Sequence, residues 1–132
     1  MSALLYTVFW NFLDTNQRRV GQSTGLPWPA SCSVVGSEHI ETGPFGTDYV
    51  ETIHLQMSPA DAQSWINQPP FGGKAAWKTP VESIGLIDTD LVPKGLEHRR
   101  SIWVAESKAN GEGATVVVDS ASGDAWFQRW SE

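Results

Sequence analysis

Residues 101–130 read SIWVAESKAN GEGATVVVDS ASGDAWFQRW, and this stretch decides the fold. Runs rich in β-branched and aromatic residues are separated by two turn signals. Asn110-Gly111 suits a two-residue hairpin turn, because both residues tolerate the positive φ such a turn needs. Ser120 to Asp124, containing Gly123, supplies the second turn. Strands over 101–108, 113–119 and 125–130 then form an antiparallel meander. The Asn110-Gly111 turn sets Ala109 opposite Glu112, hence Trp103 opposite Val118 and Val104 opposite Val117. With 120–124 as the loop, Asp119 faces Ala125 and Val118 faces Trp126. On that register Trp103, Val118 and Trp126 make a row on one face, which Trp130 extends. Ile102, Val104, Val117, Ala125, Phe127 and Arg129 take the other face.

Upstream, residues 32–41 and 47–57 predict two further strands. In the second, Tyr49, Ile53, Leu55 and Met57 alternate with Asp48, Thr52, His54 and Gln56, the period of a half-buried strand. Thr42 to Gly46 carries turn residues, so the pair reads as a hairpin. Ser58-Pro59-Ala60-Asp61 starts a helix: Ser58 suits the N-cap, Pro59 the first helical position and Asp61 the capping box. Gln68-Pro69-Pro70 stops it. Residues 68–98 hold four prolines and four glycines and read as an irregular stretch, whose short apolar runs (Val81 to Ile87, Leu91-Val92) suit a strand or a helical turn. Residues 14–31 read as a connection, broken by Gly21, Gly25, Pro27 and Pro29. Residues 2–14 read as a helix that is apolar nearly all round, with Leu4, Leu5, Val8, Phe9 and Phe12 as its main stripe. Such a helix is clamped in a core or docks on a partner, including a second copy of the chain.

The expected fold is α+β: a single domain of 132 residues with two helices and an antiparallel sheet of about five strands. Large apolar residues fall on both faces of the meander. Either the N-terminal helix covers one face and the Trp65 helix the other, or one face is an aromatic platform for a partner.

Composition narrows the function. Apolar residues are 40% and charged residues 18% of the chain, the balance of a folded protein. The formal charge of −6, with no basic block, argues against nucleic acid as a partner, because that binding runs on phosphate neutralisation. One cysteine, Cys32, rules out an internal disulfide framework. The most apolar run, Leu4 to Leu13, is about half of the roughly 20 residues a spanning helix needs. No secretory signal is evident, so the expected compartment is the cytoplasm; removal of a leader would make it secreted or envelope-attached.

Candidate chemistry is sparse. His39 and His54 fall too far apart along the hairpin to share a metal, so no metal site is expected. No cofactor motif and no catalytic constellation stands out. Glu51 shares a strand face with Tyr49, Ile53 and Leu55, where an apolar residue is expected. A carboxylate there must reach water, find a partner, or take a raised pKa. Arg99 and Arg100 form a cationic pair suited to a carboxylate or phosphate. The leading expectation is a non-catalytic binding or protein-interaction module acting through Trp103, Trp126, Trp130, Arg99 and Arg100. Its specific form is an acidic inhibitor or immunity-type protein, and its partner a protein or a small ligand. A small metal-independent hydrolase or isomerase, with Glu51 as general base beside Tyr49 or His39, is the rival. The soluble portion of an envelope-anchored protein is a third reading.

Overall fold

A computed structural model describes residues 15–42, 48–80, 90–109 and 111–131. Five strands, β1 (Ser33–Thr42), β2 (Asp48–Gln56), β3 (Ile102–Ala109), β4 (Glu112–Asp119) and β5 (Asp124–Ser131), form one sheet. Every neighbouring pair is antiparallel, in the spatial order β1-β2-β5-β4-β3. With the helices α1 (Thr15–Thr24) and α2 (Pro59–Ile66), the fold is the expected α+β with a C-terminal meander. The expected helix over 2–14 lies outside the described residues.

The β3–β4 register agrees with the sequence: Ala109 pairs with Glu112 and Trp103 with Val118. The β4–β5 register differs by one residue. Val118 pairs with Ala125 and Val117 with Trp126. The connection is four residues, 120–123, closed by Gly123 at φ 83°. Asp124 belongs to the strand, not to the loop. A slip of one residue exchanges every side chain between faces, so Trp103 and Trp126 lie on opposite sides of the sheet.

Both helices pack on one face. Val20 and Leu26 join Trp65, Phe71, Ile53, Leu55, Val116, Val118 and Phe127 in the larger apolar cluster. Trp103 is on this face, paired with Val118. On the opposite face Ile102, Val104, Val117 and Trp126 pack with Leu96 and Val92 from the 90–98 segment. Among the described residues, α1 and α2 thus lie on one side of the sheet and an irregular segment on the other; the cover expected from the helix over 2–14 lies outside the described residues. The stretch 14–31, expected to be only a connection, contains α1. Its one buried apolar residue is Val20, so no apolar stripe announces it.

α2 begins as its sequence predicts. Ser58 is extended (φ −65°, ψ 151°), and its hydroxyl accepts the Asp61 N–H at 3.1 Å. The irregular segments are held by tryptophan. Trp65 Nε1–H donates to the Pro27 carbonyl at 2.7 Å, Trp77 to Gln68 at 2.9 Å and Trp126 to Leu91 at 2.9 Å. Each ring packs in or against the core while its one polar atom fixes a loop.

The β4–β5 turn is built around two residues. Asp119 is buried and accepts from Ser101 Oγ (2.6 Å), Arg99 (3.1 Å) and the Ala121 N–H (3.0 Å). Gly123 donates its N–H to the Asp119 carbonyl and accepts the Met57 N–H, both at 2.9 Å. The turn is therefore cemented to the junction between β2 and α2.

Candidate functional site

The helix-covered face changes character along one row of paired residues. Ala105, Val116, Phe127 and Ile53 make an apolar row. Two residues further along each strand, the row is Ser107, Ala114, Arg129, Glu51 and His39. The core stops there. Glu51 is 3% exposed, and both carboxylate oxygens are engaged. Oε1 takes Arg19 of α1, and Oε2 takes Arg129 of β5 at 3.0 Å. His39 Nδ1 lies 3.8 Å from the same Oε1. Tyr49 stacks on His39 with ring centroids 5.6 Å apart, and Arg129 lies over the Tyr49 ring at 5.5 Å. The partner that burial demands is thus a pair of arginines from two other elements. Glu51 is not at a strand end reaching water, and its oxygens are occupied by guanidinium groups rather than presented to a substrate.

Beside Arg129 the sheet and α1 enclose an open cleft of about 180 Å³, lined by Ser23, Phe71, Ser107, Ala114 and Arg129, with Glu112 at β4. Phe71, buried at 7% exposure, holds the left-handed conformation (φ 56°, ψ 40°). That geometry costs a residue with a Cβ roughly 1–2 kcal/mol, a strain often found at ligand sites. Arg129 Nε is buried and has no acceptor among the described residues.

The predicted platform tryptophans do not gather. Trp103 is half-buried on the helix-covered face. Trp126 is 1% exposed on the other face, stacked parallel on His54 at 4.8 Å, and His54 Nε2 lies 3.1 Å from Asp124 Oδ1. Trp130 is on the Trp126 side. Its ring lies against Gly113, where a Cβ would strike it, and Lys108 Nζ stands 6.0 Å from its centroid. The three rings therefore form no common surface. Arg99 is committed to Asp119. Arg100 is exposed and makes no hydrogen bond or ion pair with the described residues.

Burial alone would raise the Asp119 carboxyl. The hydrogen bonds from Ser101, the Ala121 N–H, Arg99 and the Ser122 N–H outweigh it and hold the group below its usual range. At Cys32, burial first and the nearby Asp61 charge second push the thiol up to about 11. It is protonated at neutral pH, unlike a nucleophilic thiolate. Among the described residues no group of three or more His, Cys, Asp or Glu is placed to hold a metal ion. No described helix is long and apolar enough to cross a membrane.

The most exposed apolar side chains lie on β1. Val35 is 55% and Ile40 40% exposed, the two large hydrophobics that stand out among the described residues. β1 is an edge strand whose outer side pairs with no described strand. The opposite edge, β3, is bridged by Lys78, which exchanges two hydrogen bonds with Val104 (2.9 and 2.8 Å). An irregularity between Val34 and Gly36 interrupts β1 and leaves Gly36–Thr42 in continuous register.

No protein-family model, no curated protein sequence and no solved structure matches this chain.

Proposed function

We propose that the protein is a non-catalytic interaction module that captures an extended, basic segment of a partner protein along β1. One observation carries this reading: β1, whose outer side pairs with no described strand, also bears the exposed Val35 and Ile40. An edge strand offers unpaired backbone N–H and C=O groups, and native proteins usually cover or blunt such edges. Strand addition draws affinity from main-chain hydrogen bonds and selectivity from alternate side chains. Charge supports a basic partner. β1 carries Glu38 and Glu41 and no lysine or arginine, in a chain of net charge −6. A second copy would bring the same two glutamates to the same edge, which disfavours self-pairing. This is the acidic-inhibitor reading with its surface moved from the tryptophans to the sheet edge.

The test is an amide-shift titration by NMR with two alternating heptapeptides, Lys/Val and Glu/Val, matched to the uninterrupted part of β1. The Lys/Val peptide is expected to shift amides of residues 33–42 and to bind at least tenfold more weakly to a Glu38→Lys/Glu41→Lys variant. Equal binding of both peptides, or shifts confined to other strands, overturns the proposal. Concentration-dependent β1 shifts without peptide would replace the partner by a second copy.

A further inference from the structure

Four polar groups around the cleft beside Arg129 have no partner among the described residues. Arg129 Nε–H lacks an acceptor. The hydroxyls of Ser23 and Ser107 make no hydrogen bond, and Glu112 makes no ion pair. Arg129 and Glu112 sit diagonally on adjacent strands, since Arg129 pairs with Ala114 and Glu112 with Ser131. Diagonal neighbours are close enough for long side chains to meet. They nevertheless form no salt bridge, because the Arg129 guanidinium is drawn across the sheet to Glu51. A guanidinium held by Glu51, with its Nε–H still unmatched, and an exposed carboxylate thus line one cleft without pairing with each other. Phe71 and Ala114 give its wall an apolar stretch. A few convergent polar groups on a partly apolar concavity are the usual make-up of a small-ligand site.

We propose that this cleft binds a small zwitterion of the α-amino acid class. The ligand carboxylate pairs with Arg129, which is built for planar oxyanions. The ammonium faces Glu112, the Ser23 and Ser107 hydroxyls supply further hydrogen bonds, and the side chain lies on Phe71. The cleft is small. The volume of about 180 Å³ is room for about six waters, below the range for drug-sized ligands. A simple anion would satisfy Arg129 and meet repulsion from Glu112, and a simple amine the reverse. Only a ligand with both charges satisfies both walls.

The test uses three probes of one shape: L-valine, isobutyrate and isobutylamine. Each is titrated into the full chain while amide shifts are followed. Valine is expected to give saturable shifts at 107, 112–114 and 129, and isobutyrate and isobutylamine to bind at least tenfold more weakly. Glu112 is exposed and unpaired, so Glu112→Gln leaves the fold intact. In that variant valine affinity is expected to fall to that of isobutyrate. Isobutyrate binding as tightly as valine makes the cleft a plain anion site and overturns the proposal. So do shifts outside the cleft, or none with any probe. The β1 reading concerns amides 33–42, so either proposal fails without the other.

Discussion

Gly123→Ala is the substitution the structure predicts to be most costly for its size. Two effects combine. At φ 83° a residue with a Cβ bears the left-handed penalty of roughly 1–2 kcal/mol. The added methyl would also overlap the Met57 carbonyl oxygen and lie 2.9 Å from its carbon and 3.2 Å from the Ser58 carbonyl carbon. Those are backbone atoms and cannot swing aside. The turn must lift from the β2–α2 junction, stretching the Met57 N–H bond to Gly123, worth about 0.5–1.5 kcal/mol net. The total is about 1.5–3.5 kcal/mol. The control is Gly72→Ala. Gly72 has φ 63°, but a Cβ there meets nothing within 4 Å, so only the conformational penalty applies. Urea unfolding followed by tryptophan fluorescence measures both. Gly123→Ala should lower the midpoint more than Gly72→Ala, with the slope m unchanged. Equal losses within about 0.5 kcal/mol would show that the turn does not bear on Met57, and the argument would fail.

Other outcomes follow from the charged and thiol groups. Asp119 titrates lower in the folded than in the unfolded chain, where a free aspartate sits near ~3.9, so its contribution is complete above that value and disappears as pH falls through the folded pKa. Thermal unfolding of wild type and Asp119→Asn should therefore converge as pH drops below about 4; a gap that stays constant with pH would contradict this. Glu51→Gln leaves Arg19 and Arg129 without their carboxylate. Both arginines are more than a third exposed (43% and 35%), and water screens them, so the expected loss is about 1–2 kcal/mol rather than the roughly 3–5 of a fully buried pair. A loss under about 0.3 kcal/mol in urea unfolding would mean the pair is idle. Cys32, with its thiol near 11, should react with a disulfide reagent at neutral pH roughly tenfold more slowly in the native than in the urea-unfolded chain; equal rates would place the thiol in water.

The sheet was legible where local chemistry dictates it. Asn110-Gly111 set the β3–β4 register, and Ser58-Pro59 set the start of α2. The β4–β5 register was not legible, because loop length there depends on contact with Met57, distant in sequence. That one-residue difference had two consequences. It joined Trp103 to Trp126 in a platform that does not exist, and it put Arg129 on the face of Ile102, Val104 and Val117, whereas Arg129 pairs with Ala114 and Glu51. The sequence marked Glu51 as a misfit on an apolar face. Its partners stayed hidden, one behind the register and one, Arg19, in a helix with a single buried apolar residue. The Phe71 cleft had no signal beyond Gly72-Gly73, since a left-handed phenylalanine is fixed by tertiary packing and not by propensity.

The adjacency of β2 and β5 also bears on how the chain is made. Ile53 lies opposite Phe127, 74 positions later. The β1–β2 hairpin and the C-terminal meander are local and close in about microseconds. Their union must wait for the ribosome, which at about 5–20 residues per second needs on the order of 4–15 s to cover that distance. Throughout that interval the nascent hairpin presents Ile53 and Leu55 without the strand that shields them, and it presents both edges of β2–β1 rather than one. The order of strands in space thus sets a window of seconds during synthesis in which a chaperone, or another unfinished copy on the same polysome, competes for the place that β5 will take.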